Sequence, residues 1–509
     1  MHCGDLSPPN STLGPAVKPF KTPPNKRSTS PRGSAEPGVR LVNALRIPAF
    51  TLRMDEASWL SGCCSVSKVM DGTHSTSSIR ILRALLAHGV HDLSLGQLTN
   101  LAAVSRRTMT TRITELDAAD LISRDPLRLG PGCGLVLSLS VGRESLLAGV
   151  VDANGDVHAE PQIDRVPDQL ALPPSELLRR IREAAQRAFQ RARRDPALRQ
   201  ELAASGFLGV TVALPSPLAR DGRARGFALS HREWQEFSVP ARLATELGPY
   251  LPRVGAWDAL NDANADAIAV GFDVARSKSG GPPDRYSEML IAVRLDAGIG
   301  AGVIQLARYR PDGNFALNRS HLVVGSQGLA GELGHLPMST SDLIEINTPP
   351  VTGLRPMRDL ECSCGQVGHL EGRASSRSVL RRLHASGYPL DLRSLVDPQL
   401  ERIVAQSDAR QARALYDVGR LVGRALASPI LMLDPRRVVL TGSLSCEHVR
   451  RGIQKEQDAW STGVNNYVEV EPLGGERNRL SALRGAAIAV FRRSLFHSLD
   501  LPDAQRNPN

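Results

Sequence analysis

The spacing of apolar residues changes character near Gly134, and this limits the folds open to the chain more than any other feature. Upstream the intervals are helical. Ile79, Ile81, Leu82, Leu85 and Leu86 form one stripe. Ser94 is placed to cap a second helix carrying Leu98 and Leu101. Ser105 is placed to cap a third, with Met109, Ile113 and Leu116 at i, i+4 and i+7. Leu121-Ile122-Ser123-Arg124 then reads as a strand, and three helices plus a strand fit a winged helix-turn-helix. Downstream, strands alternate with helices. Leu135–Leu139 and Leu146–Val151 read as paired strands with a turn near Asp152–Gly155. A basic amphipathic helix over 175–194, strands at 206–213 and 289–295, a helix near 411–429, a strand at 437–440 and an amphipathic helix over 480–495 follow. This order belongs to an α/β fold, and it leaves room for two similar lobes.

The ends read differently. Residues 1–70 are rich in Pro, Ser, Gly and Arg and read as a disordered basic tail, with Met54 and Met70 as alternative starts. Eight Lys/Arg against Asp5 and Glu36 place more than half of the net charge of +10 in residues 1–53, so the high charge says little about a folded surface. Residues 276–283 read as a mobile loop and 498–509 as a second disordered tail. No run reaches the roughly 18 apolar residues of a membrane span, and no signal-peptide pattern opens the chain. The expectation is a cytoplasmic protein with no membrane partner. Seven cysteines in 509 residues do not make a disulfide framework.

Four segments carry chemistry. Ser105-Arg106-Arg107-Thr108-Met109-Thr110-Thr111-Arg112 opens the third helix with arginines and threonines and no acid. Arg pairs with guanine edges or phosphates and Thr contacts bases or backbone, which suits a recognition helix in double-stranded DNA, although a solvated helix face has the same composition. His335, Cys362, Cys364 and His369 offer two imidazoles and two thiolates, a donor set for tetrahedral zinc, or else two buried thiols beside histidines. Asn261-Asp262 lies at a strand-to-helix junction, where Asp262 can act as a general base, hold a hydroxyl, or simply cap the helix. Gly298-Ile299-Gly300-Ala301-Gly302 reads either as a phosphate cradle or as a Gly-rich β-turn.

Taken together these segments resemble the ROK family, named for repressors, open reading frames and kinases, over about 77–495. Asn261–Ala265 resembles its sugar-site motif, Gly298–Gly302 its second Gly-rich loop, and Gly328–His335 with Cys362–Glu371 its sugar-and-zinc segment. Leu431–Pro435 and Val438–Ser445 resemble its late strand and loop. The resemblance implies two actin-like (ribonuclease H-like) α/β lobes with a cleft between them, preceded in repressor members by a winged helix. It implies domains at 71–130 and 133–497. It implies sugar contacts from Asn261, Asp262, Glu332, His335 and Glu371, and a structural Zn2+ on His335, Cys362, Cys364 and His369. His369 stands where the family usually has a third cysteine.

The chain departs from the family's kinases at one place. Their Asp-x-Gly-Gly-Thr-Lys loop for ATP phosphates and Mg2+ reads here Ser140-Val141-Gly142-Arg143-Glu144-Ser145, and Ala297 replaces a common Thr in the second loop. Arg143 crowds the backbone and Glu144 repels phosphate, so positioning and charge neutralisation, nearly all that phosphoryl transfer needs, are both lost. Asp120 also stands where winged helices often have Gly. The expectation is a non-enzymatic, sugar-responsive regulator without ATP. It acts as a repressor released from operator DNA by a sugar or sugar phosphate, and works as a homodimer or homotetramer. The rival is an ATP-dependent sugar kinase with Asp262 as base.

Overall fold

The computed structural model describes residues 76–88, 94–166, 168–226, 229, 231–276, 288–306, 321–348, 350–393, 397–460 and 468–496. The tails expected at 1–70 and 498–509 lie outside these residues, as does nearly all of the loop expected at 276–283.

Helices α1 (Thr76–His88), α2 (Leu95–Leu101) and α3 (Arg106–Ala118) precede a hairpin of β1 (Ile122–Arg124) and β2 (Leu127–Leu129). Ser94 forms a capping box with Gln97, and the Ser105 hydroxyl accepts from Thr108 N. The apolar stripes of α1 and α3 are buried as their spacing requires. Asp120 sits in the left-handed region (φ +58), which is why glycine suits this position.

The rest of the chain builds two sheets of matching design. The first joins β3 (Leu135–Val141), β4 (Ser145–Asp152), β5 (Val157–Arg165), β6 (Phe207–Leu214) and β7 (Trp257–Asn261) in the order β5-β4-β3-β6-β7. Its helices are α4 (Pro174–Ala192), α5 (Pro196–Ser205) and α6 (Val239–Leu247). From β7 the chain runs directly into α7 (Asp262–Arg276). The second sheet joins β8 (Glu288–Leu295), β9 (Ile299–Leu306), β10 (His321–Val323), β11 (Arg437–Thr441) and β12 (Glu469–Pro472) in the order β10-β9-β8-β11-β12. In both sheets the first two pairings are antiparallel and the last two parallel. Helices α8 (Thr340–Ile346), α9 (Leu370–Ala374), α10 (Ser376–Ala385), α11 (Asp397–Ala405), α12 (Ala409–Leu433), α13 (Glu447–Trp460), α14 (Gly475–Arg479) and α15 (Ser481–Phe496) complete the chain. Asp408 and Gln411 cap α12 reciprocally, and Asp434 (φ +44) before Pro435 ends it.

Two helices form the layer between the sheets. α7 packs on β8 and β9, α15 packs on β3 and β6, and the two pack on each other. α15 is therefore buried around most of its circumference, from Ala482 through Phe491, rather than amphipathic as its sequence suggests. Its Gly485 crosses α7 so closely that a Cβ there would lie 1.7 Å from Ala265 O. The Gly-rich run is also corrected. Gly300 and Gly302 lie within β9, not in a loop, and a Cβ on Gly302 would meet Ala263 O at 2.3 Å. Those glycines admit α7. Helix α1 packs in turn against α7 and α15, so the N-terminal unit shares a core with this layer. No helix among the described residues is long and apolar enough to cross a membrane.

Candidate functional site: a polar cleft beside a His/Cys cluster

The two motif segments lie side by side. Met338 N donates to Gly368 O and Leu370 N to Leu336 O, strapping one to the other. Gly331 (φ +94) lies against β9, where a Cβ would come within 1.8 Å of Ala301 O. That approach turns Glu332 and His335 toward the end of the β8–β9 hairpin.

His335, Cys362, Cys364 and His369 converge, with their donor atoms within 4.8 Å of one another. Cys362 Sγ is 3.4 Å from His335 Nδ1, and Cys364 Sγ is 3.3 Å from His369 Nδ1. Ligand atoms around a tetrahedral zinc ion are about 3.3–3.8 Å apart, so the donor set and its spacing fit that ion. Burial pushes the Cys362 thiol up to about 12, a state that a bound cation reverses by holding the thiolate. His335 Nε2 faces Glu332 Oε2 at 3.6 Å, so one ring nitrogen looks to the cluster and the other to the cleft.

Asn261, Asp262, Glu332, His335 and Glu371 all line one cleft, together with Gly142, Arg143 and Pro217 of the first lobe and Arg294 and Asp296 of the second. The helix-capping role falls to Asn261, whose Oδ1 accepts from Asn264 N at 3.0 Å. Asp262 is left facing the cleft, and burial raises its carboxyl to about 7 against the pull of Arg294. Burial, then Asp262 and Glu371, raise Glu332 to about 7 as well. Both carboxyls can therefore exchange a proton near neutrality, or share hydrogen bonds with hydroxyls in either direction. Glu371 is buried and braced: Oε1 accepts from Ser363 N at 2.9 Å and Oε2 from Ile299 N at 3.3 Å.

The residue that sequence reasoning missed is Arg294. Its guanidinium lies 3.1 Å from Asp262, 2.9 Å from Asp266 and 3.3 Å from Asp296. Asp266 is fully buried and also accepts from Thr441 Oγ1 at 2.6 Å and Ser481 Oγ at 2.5 Å. One network thus ties together α7, β8, β11 and α15. The signal available was a lone arginine inside the apolar strand Met289–Leu295, which must find acids when buried.

The segment expected to replace an ATP loop is a tight hairpin turn. Ser140 and Val141 belong to β3, and Gly142 N donates to Ser145 O at 2.7 Å. Gln169 Nε2 occupies the carbonyls of Gly142 and Ser145, Gln169 N donates to Arg143 O, and Arg143 pairs with Asp168 at 2.8 Å. Glu144 is buried and accepts from Asp397 N of the second lobe at 3.2 Å.

At the N-terminal unit Ser105, Arg106, Arg107, Thr110 and Thr111 are exposed on one end of α3. The Thr110 and Thr111 hydroxyls donate to the carbonyls of Arg106 and Arg107, and Arg112 folds back onto Glu115.

The sequence profile of the ROK family matches residues 136–492. The chain is 26% identical over 189 residues to the xylose repressor of Bacillus subtilis (strain 168), covering 37% of this chain and 38% of that protein. It is 24% identical over 369 residues to the glucokinase of Streptomyces coelicolor, covering 70% of this chain and 96% of that protein. The chain spans about half the length, or less, of the curated repressors it matches. Among solved structures, a ROK family transcriptional regulator described as a homolog of the E. coli MLC protein superposes with a TM-score of 0.50 at 18% identity, covering 83% of this chain and 98% of that one. That likeness bears on the fold, and it agrees with the paired actin-like lobes. The profile takes in both sheets, the cleft and the His/Cys cluster, and the chain belongs to the ROK family.

Proposed function

We propose that this chain is a sugar-responsive transcriptional regulator, with a winged helix-turn-helix over 71–130 and a sugar-binding body over 133–497. One observation carries the reading. Helix α7 begins at the cleft residue Asp262 and packs against α1 of the N-terminal unit, so one rigid element touches both places. In this reading Ser105, Arg106, Arg107, Thr110, Thr111 and Arg112 meet operator DNA, and Arg112 leaves Glu115 to do so. Asn261, Asp262, Glu332, His335 and Glu371 bond the hydroxyls of a sugar. Zn2+ on His335, Cys362, Cys364 and His369 fixes the turn that braces Glu371. Lobe closure on the sugar shifts α7 and with it the spacing of two recognition helices in a homodimer. A coupling of about 1–3 kcal/mol is enough to change operator occupancy.

A kinase reading has two observations in its favour: the match to a glucokinase over 96% of that protein, and an Asp262 carboxyl near 7 at the cleft, which suits a general base. The fastened turn at Gly142–Ser145 opposes it, because Gly142 N is spent on Ser145 O and the turn is held by Gln169, where a phosphate loop needs free backbone N–H groups. Fluorescence anisotropy of the full-length protein on DNA from its own upstream region tests the proposal. A sugar that releases DNA without consuming ATP is the expected result. ATP-dependent phosphorylation of that sugar, or operator affinity indifferent to every sugar and sugar phosphate, defeats the reading.

A further inference from the structure

A second cavity of about 280 Å³ adjoins the cleft. Arg143, Ala297, Ser363 and Glu371 line both, so the two spaces adjoin across these residues. Their electrostatics differ. Around the cleft Asp262, Asp296, Glu332 and Glu371 outnumber Arg143 and Arg294. The second cavity is lined by three guanidiniums, Arg143, Arg377 and Arg381, against Glu361 and Glu371. The Glu371 carboxylate already accepts two backbone N–H groups.

Arg143 comes from the turn after β3, and Arg377 and Arg381 from α10 in the second lobe. Asp168, held in the left-handed region (φ +47), reaches Arg143 Nη1 at 2.8 Å and Arg377 Nη2 at 3.4 Å. One carboxylate thus sets two guanidiniums from opposite lobes side by side. Each guanidinium has five N–H donors, so one acid leaves most of them unused. The Arg143 Nε has no acceptor, and Arg381 has no acidic partner among the described residues. Ser375 and Ser378 also line this wall, but Ser378 Oγ donates to Gly372 O at 2.8 Å and pairs with Ser375 Oγ at 3.1 Å, so the donors left for a ligand are those of the arginines. Guanidinium forks set side by side are the array that recognises a phosphate group.

We infer that this cavity holds the phosphate of a phosphorylated sugar whose ring lies in the cleft, an assignment that rests on the cleft being the sugar site. The ring hydroxyls face Asn261, Asp262 and Glu332, and the phosphate faces Arg143, Arg377 and Arg381. Arg143, the residue that spoils a kinase-type phosphate loop, is then the first lobe's contribution to this anion site. Because the arginines come from both lobes, the phosphate draws the lobes together as it binds.

The test is isothermal titration calorimetry of the full-length protein in phosphate-free buffer. The probes are inorganic phosphate, ATP-Mg, and glucose, N-acetylglucosamine and xylose, each with and without a terminal phosphate. Inorganic phosphate binds the wild type, and at least one sugar phosphate binds about tenfold or more tightly than its parent sugar. Arg377→Gln abolishes phosphate binding and removes the advantage of the phosphorylated sugar, leaving the parent sugar's affinity unchanged. Arg381→Gln, at an exposed side chain outside any ion pair among the described residues, repeats the effect in part and guards against a folding defect in the first variant. If no sugar binds in either form while phosphate binding still depends on both arginines, the cleft reading fails and the anion site stands. Absence of phosphate binding, equal affinity for parent and phosphorylated sugars, indifference to both arginines, or a gain confined to ATP-Mg overturns the inference.

Discussion

Replacing Arg294 with Met removes the cation that Asp262, Asp266 and Asp296 share and leaves the volume nearly filled. The Arg294 side chain is only 16% exposed and Asp266 is fully buried, so Asp266 cannot turn to water for compensation, while Asp262 and Asp296 reach it only at the cleft. Breaking a buried ion pair from one side costs about 3–5 kcal/mol, and that is the expected loss at alkaline pH. The pH dependence follows from Asp262, whose carboxyl titrates at about 7 with burial raising it and Arg294 pulling it down. Without Arg294 it titrates higher. Between pH 7 and that higher value the folded variant keeps a proton that the unfolded chain has released. The variant therefore loses stability, relative to wild type, by up to about 1.4 kcal/mol per pH unit over this window. Urea denaturation followed by far-UV circular dichroism at pH 6, 7, 8 and 9 measures the difference. A gap below about 1 kcal/mol at pH 9, or one that narrows as pH rises, would falsify the claim that Arg294 is a buried keystone. Arg294→Lys keeps the charge but not the fork, and falls between the two.

Zinc removal gives a separate check. The purified protein releases about one equivalent of zinc per chain to a chromogenic chelator, and metal loss lowers the melting temperature; a Cys364→Ser variant that melts like wild type and still carries a full equivalent refutes the ligand set. Asp397 is raised to about 8 by burial, Asp296 and Glu144, with Arg165 and Arg294 opposing. A carboxyl raised in the folded state favours folding at low pH and loses that contribution as pH rises from its ordinary value of 3.8 to about 8, so Asp397→Asn flattens the decline in thermal stability between pH 5 and 8, and an unchanged decline counts against it. On DNA, Arg106→Ala and Arg107→Ala each weaken operator binding by about 1–3 kcal/mol in anisotropy titrations while the fold, read by circular dichroism, is unchanged; wild-type affinity in both would move the DNA contact elsewhere.

The elements were legible wherever one residue pattern meets one environment. Met109, Ile113 and Leu116 give α3, Ser94 and Ser105 give two caps, and the all-buried β3 reads as an apolar run. The Asn261-Asp262 junction and the four His/Cys donors were legible because they are short-range chemistry. What escaped depends on contacts distant in sequence. Arg294 finds Asp266, and Asp266 finds Ser481 215 positions away, a pairing that no local pattern announces. Gly300 and Gly302 look like loop glycines until α7 is seen lying against them. The polar residues of α15 suggest a solvent face, yet Arg484 is drawn to Asp273 and Gly155 O within the structure. The basic wall of the second cavity could not be read at all, because Arg143 and Arg377 meet only when the lobes do.

The close crossings of α7 have a mechanical corollary. At Gly302 on one side and Gly485 on the other, backbone meets backbone with no side chain between to bend. Soft rotamers normally absorb small displacements, and here there are none to do so. Fifteen helical residues make a rod about 22 Å long. Tilting such a rod by about 5° about one end carries the other end through about 2 Å. A displacement that small would be lost in a compliant joint, but at these two crossings it passes undamped.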